Sequence, residues 1–165
     1  MPVPGRPRHA LTIALLVTVA LLPGCGGGGG DDGTLTKAEF VAKADQICKQ
    51  AREKFLAAQP GPPSNPQQAA ALQEVLIGTS ENELSEIRSL DAPADVKPAL
   101  DRYLRAREEG IALLKKGLKA AQNEDLPAYT AAQRQLAADQ VKRLHLAQAV
   151  GFTECSRPGG SSSGG

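Results

Sequence analysis

Between Leu35 and Val150, apolar residues return every three or four positions, and nowhere in the chain do they alternate every second residue over a useful length. That spacing lays one apolar stripe along each of several helices and gives a sheet nothing to build on. Helix one has a complete start signal: Thr36 and Glu39 form a capping box, and Leu35 can staple to Phe40. Its stripe reads Phe40, Ala44, Ile47, Cys48, Ala51 and Phe55. The proline-rich stretch from Gln59 to Ser64 stops it. Asn65-Pro66, a cap followed by proline at the first helical position, opens helix two. Its expected stripe is Ala69, Leu72, Leu76, Thr79, Ile87 and Leu90, broadened by Val75 and Leu84.

After the short turn Asp91-Ala92-Pro93, Asp95 is the expected cap of helix three, whose first turn tolerates Pro98. Val96, Leu100, Tyr103, Leu104, Ile111, Leu114 and Leu118 follow at helical spacing. Gly110 and Gly117 lie a heptad apart, as at a site where a neighbouring helix comes close. Gln122 to Asp125 forms the next turn. Helix four is expected to face the core with Leu126, Tyr129, Gln133, Leu136, Val141, Leu144 and Val150, and to end at Gly151. Four helices of about 22–27 residues with short connections predict an all-α protein, an antiparallel up-down four-helix bundle over residues 35–155.

The first residues follow another logic. Arg6 and Arg8 precede an apolar run from Ala10 to Leu22. That run is about a dozen residues, short of the roughly 20 that span a bilayer and suited to a cleavable export signal. Leu22-Pro23-Gly24-Cys25 resembles the lipobox of bacterial lipoproteins, with Pro23 a less usual choice at its position. The resemblance implies that residues 1–24 are a signal peptide and that the thiol of Cys25 accepts the lipid. Residues 25–34 would then be the lipidated cysteine and a glycine-rich tether. More than one acyl chain gives stable anchoring, so the expected location is the extracytoplasmic face of the cell membrane. An ordinary secretory signal with a coincidental cysteine is the alternative. The Gly/Ser-rich residues 156–165 read as a disordered tail.

With Cys25 lipidated, Cys48 and Cys155 are the two thiols left. Outside the cytoplasm the expected outcome is a disulfide between them. A redox or metal site is the alternative, but it lacks a CxxC spacing and a nearby histidine. In an up-down bundle the end of helix four lies near the start of helix one. Cys48 sits roughly 18 Å along helix one at 1.5 Å per residue, and four residues beyond Gly151 reach about 13 Å. A chain reversal at Gly151-Phe152 makes the bond feasible with little slack. The segment from Ala38 to Cys48, together with Gly151-Phe152-Thr153-Glu154-Cys155, resembles a group of small lipoproteins of high-GC Gram-positive bacteria. That resemblance implies an architecture, and no activity.

Several chemistries lack their parts. The chain has 19 basic and 18 acidic residues, and loss of Arg6 and Arg8 leaves 17 against 18. Nucleic-acid binding ordinarily needs a strong basic excess. Aromatic residues are 3% and Trp is absent, which leaves little for stacking platforms. His145 is the sole histidine after the leader and reads as a solvent-facing or hydrogen-bonded residue. As a di-iron or haem ligand it has no companions, since position 142 is Lys142 rather than Glu and no CxxCH occurs. Ser80, Ser85 and Ser89 lie on a polar helix without a nucleophile elbow, and Glu81, Glu83 and Glu86 read as a solvated face. No cofactor, metal or enzymatic role is expected.

Charge layout is the remaining signal. Helix two carries Glu74, Glu81, Glu83 and Glu86, while helix three carries Arg102, Arg105, Arg107, Lys115, Lys116 and Lys119. Complementary charge along neighbouring helices accounts for this at tenths of a kcal/mol per exposed pair. Alternatively Lys115, Lys116 and Lys119 mark a contact for anionic lipid, a wall polymer or an acidic protein. The expected function is a non-enzymatic, lipid-anchored interaction or accessory module. The alternative is a carrier or sensor of a small apolar ligand between the helices, for which Ala69, Ala132 and Ala147 would leave room.

Overall fold

In a computed structural model, residues 34–59 and 61–158 are described. The expected leader, Cys25, the glycine tether and the last residues of the tail lie outside them. Four helices follow in order: α1 (Lys37–Ala58), α2 (Pro66–Ser89), α3 (Lys97–Gln122) and α4 (Leu126–Val150). They form the expected antiparallel up-down bundle, and no strand occurs among the described residues. Each helix packs on its sequence neighbour, α3 lying against both α2 and α4. No helix among the described residues is long and apolar enough to cross a membrane.

The helix starts are set by local chemistry. Glu39 N donates to Thr36 Oγ1 at 3.3 Å and Thr36 N donates to Glu39 Oε2 at 2.9 Å, closing the capping box. Hydrogen bonds from Thr36 hold the Glu39 carboxyl below its ordinary range. Leu35 packs against the cluster that contains Phe40, as the staple requires. Asn65 Oδ1 accepts from Gln68 N at 2.8 Å, and Asp125 Oδ1 accepts from Ala128 N at 3.0 Å. Asp95 does not cap α3. Val96 occupies the cap position with helical backbone and no side-chain cap. Val96 N and Lys97 N donate to Pro93 O instead, which frees Ala92 and Val96 to be buried.

Two buried faces differ from those expected. On α2 it is Gln73, Ile77 and Ser80 that are buried, beside Ala69, Leu84 and Ile87, whereas Val75 is 39% exposed. This helix has a neighbour on each side, α1 and α3, and buries the face between them. On α4 the buried residues are Ala132, Ala147 and Val150, while Leu126 and Val141 are 70% and 57% exposed. The cause is close approach. A Cβ at Gly117 would lie 3.8 Å from Ala132 Cβ, and one at Gly110 would lie 3.2 Å from Asp139 Oδ2. Small or bent side chains fit over α3 there, and a stripe of large ones does not.

The aliphatic and aromatic core fills one half of the bundle, around the start of α1 and the end of α4. Phe40, Ile87, Tyr103 and Val150 are its largest fully buried side chains. Gly151, in the left-handed region at φ 105, ends α4 and reverses the chain, with Phe152 N donating to Ala147 O at 3.0 Å. Phe152 then inserts between helices, 6.0 Å from the Phe40 ring and 5.4 Å, edge to face, from Tyr103. Three successive amides, of Thr153, Glu154 and Cys155, donate to the Asp45 carboxylate on α1 at 2.8–3.2 Å. Glu154 pairs with Arg52 at 2.6 Å. Together these contacts set Cys155 beside Cys48, and the disulfide is formed, with a Cα–Cα distance of 5.1 Å. Ser156 and Arg157 belong to the same turn, Ser156 Oγ bonding to Thr153 O and Arg157 pairing with Glu154.

Candidate functional site

Beyond the core, the bundle changes character twice along its axis. A polar layer comes first. Arg107 on α3 reaches Glu83 on α2 at 2.8 Å, with the two side chains only 10% and 11% exposed. Glu83 is therefore not part of a solvated face. Tyr103 hydrogen-bonds to the same carboxylate, and burial followed by the charge of Glu83 pushes its phenol well above the ordinary range. Burial pulls the Arg107 guanidinium down, but Glu83 and Tyr103 more than restore it, so that it stays raised. From α4, Asp139 and Arg143 lean over Gly110 with 3.7 Å between Oδ2 and Nε. Burial and then the like charge of Arg107 pull Arg143 below its usual value. Nε of Arg107, Nε of Arg143 and Oδ2 of Asp139 are buried without hydrogen-bond partners.

Beyond it Ile77, Ile111 and Leu114 are buried, and past them small residues open into a cleft at the end of the bundle opposite the start of α1. Gln73, Gly117 and Ala132 meet there, with Gln73 Nε2 only 3.1 Å from where a Cβ on Gly117 would stand. One turn further out, Ala69 of α2, Ala120 and Ala121 of α3, and Leu126 and Tyr129 of α4 line a cleft of about 250 Å³, closed on one side by Pro63 and Pro66. Its surface is predominantly apolar. The polar residues at its rim are engaged locally: Ser64 N and Oγ both donate to Gln68 Oε1, and Glu124 accepts from Gln67. Of the alanines expected to leave room, Ala69 lines the cleft and Ala132 lies beneath it. Ala147 is sealed in the core at the other end.

The lysine patch is split. Lys115 is paired with Glu81 on α2 at 2.7 Å, both side chains about half exposed. Lys116 and Lys119 are exposed and make no ion pair among the described residues. His145 is exposed on α4, and no group of His, Cys, Asp and Glu suited to a metal occurs among the described residues. Ser80 is buried rather than on a polar face.

The polar layer and Gln73 escape a reading by composition, yet they leave a trace. Arg107 lies four residues from both Tyr103 and Ile111, and Gln73 lies four from both Ala69 and Ile77. Each is in phase with an apolar stripe, where a polar side chain needs a partner or a task. No known family model, curated protein or solved structure matches this chain.

Proposed function

We propose that the protein is a lipid-anchored helical module of the cell envelope, held to the extracytoplasmic face of the membrane through Cys25 and working by contact rather than by catalysis. The observation that carries this reading is the Cys48–Cys155 disulfide. Such bonds persist in oxidising compartments and are rare where thiols are kept reduced. An export leader ending at a lipid-acceptor cysteine supplies the route to such a compartment. The partners in this reading are the bilayer, through the acyl chains on Cys25, and an envelope protein or polymer. Neither nucleic acid nor a cofactor takes part.

The direction of the fold supports an outward-facing working end. The chain enters α1 a few residues after the tether, and the small-residue cleft and the end of α3 lie at the far end of the bundle. Lys116 and Lys119, exposed near that end, remain the candidate contact, with Lys115 shared with Glu81. Intact-mass measurement of protein made in a bacterial host tests the anchor. The expected product begins at Cys25 and carries fatty acids, and Cys25→Ala leaves the protein without them. A chain that keeps residues 1–24, or is trimmed without acylation, overturns the reading. Photo-crosslinking from position 116 or 119 in whole cells tests the outward contact. A second reading, a carrier of a small apolar ligand, is favoured by one observation, the distal cleft.

A further inference from the structure

We propose that the outer face of α3 is a docking strip for a linear phosphate polymer, gripped by Arg102, Arg105, Lys116 and Lys119. The inference rests on the outward-contact reading and names its partner by chemistry, and it does not depend on Cys25.

Spacing makes the strip. The pair Arg102 and Arg105 recurs fourteen residues later as the pair Lys116 and Lys119. Fourteen residues is close to four turns, so both pairs share one face of a single helix, about 21 Å apart at 1.5 Å per residue. All four side chains are exposed, and none makes a hydrogen bond or ion pair among the described residues. The acids beside them are engaged sideways. Glu108 pairs with Arg88 on α2, Glu109 with Lys142 on α4 at 2.7 Å, and Glu81 of α2 with Lys115. Asp101 is the one acid of α3 without an ion pair among the described residues. The four cations of the strip therefore stand against a single free carboxylate.

The strip lacks an apolar anchor. Between its two pairs the exposed positions are Glu108, Glu109, Ala112 and Lys115. A protein interface is centred on a well-packed patch that excludes water, and a helix lying on a bilayer joins its basic residues to an apolar face. Neither is present on this face. What it offers is charge repeated along a straight line, and the complement is charge repeated along a chain. Phosphate held in a polymer backbone suits it better than carboxylate on peptide side chains, each of which loses rotamer freedom when fixed. Arg102 and Arg105 can each meet a phosphate with two parallel N–H donors, while Lys116 and Lys119 act as point charges.

The full-length protein, in nanodiscs of uncharged lipid, is titrated calorimetrically with long-chain inorganic polyphosphate and with tripolyphosphate, which is too short to reach from one pair to the other. Polyphosphate is expected to bind saturably and at least about tenfold more tightly. Its affinity is expected to fall with salt at a log–log slope of about −3, from four contacts at about 0.7 each. Removing either pair, as Arg102→Gln with Arg105→Gln or Lys116→Gln with Lys119→Gln, is expected to halve that slope and bring polyphosphate down to the level of tripolyphosphate. Lys43→Gln with Lys49→Gln removes the same charge from exposed positions on α1 and is expected to leave binding unchanged. Unaltered urea unfolding certifies that each variant is folded. Equal affinity for the two phosphates, equal losses from strip and α1 variants, or binding to phosphatidylglycerol vesicles in place of polyphosphate overturns the proposal. A chain that proves to carry no lipid is titrated in plain buffer with the same outcomes. A crosslink from position 116 or 119 to a protein keeps the outward-contact reading and overturns this one. Absence of any crosslink alongside intact polyphosphate binding counts against the contact in cells and not against the strip.

Discussion

Arg107 carries a full charge into the middle of the bundle and is tolerated there because Glu83 meets it at 2.8 Å. Bringing two ions out of water costs several kcal/mol each, and their attraction roughly repays it. The pair is therefore a specifying contact more than a stabilising one: it fixes which face of α2 meets α3. Breaking it is a different matter. Glu83→Ala leaves the guanidinium buried and uncompensated, and is expected to lower the stability measured by urea unfolding by about 3–5 kcal/mol. Replacing both partners, as Glu83→Leu with Arg107→Met, is expected to recover most of that loss. If the double variant is no better than Glu83→Ala, the charge is not the cause. Tyr103 supplies a pH signature. Its phenol is raised in the folded chain, so below the unfolded value near pH 10 both states hold the proton and nothing is lost. Above it the unfolded chain releases a proton that the folded chain keeps, and stability falls by about 1.4 kcal/mol per pH unit. Stability measured at a series of pH values between 9 and 12 is expected to fall more steeply with pH for the parent than for Tyr103→Phe.

At the scale of elements, the tail after α4 is what joins the last helix to the first. Its dock is overdetermined by Phe152 in the core, Asp45 on three amides and the disulfide. With a sequence separation of 107 between the two cysteines, loss of the bond is expected to cost about 3–5 kcal/mol through the unfolded state. The same dock predicts that a Cys48→Ser, Cys155→Ser chain keeps its tail in place. Amide exchange at Thr153 to Cys155 is expected to stay slow in that variant and to become fast once Asp45→Ala is added. Legible in the sequence are the parts that local chemistry decides: the capping box at Thr36, the Asn65-Pro66 start, the reversal at Gly151 and the cysteine pair. The buried faces of α2 and α4 are not legible there, because which side of a helix is buried depends on how many neighbours it has and how near they come. Leu126 and Val141 have the hydrophobicity of core residues, but Gly110 and Gly117 draw α4 too close for a stripe of large side chains. Asp95 had the chemistry of a cap, and burial of Val96 outweighed it. The cleft was legible only as an excess of alanine, since an opening is made by the residues that are missing bulk and by where they meet.

Across the whole molecule the two ends of the bundle are unlike. One end holds the large aromatic and aliphatic side chains and the cystine, and the other holds alanines, a glycine and an open cleft. The cystine has one more effect, through covalent connectivity. It closes residues 48 to 155 into a ring that includes both distal connectors, the one before Asn65 and the one at Asn123 to Asp125. A protease that severs either connector opens the ring without freeing a fragment. The severed halves stay on one molecule, ready to close again around the cut.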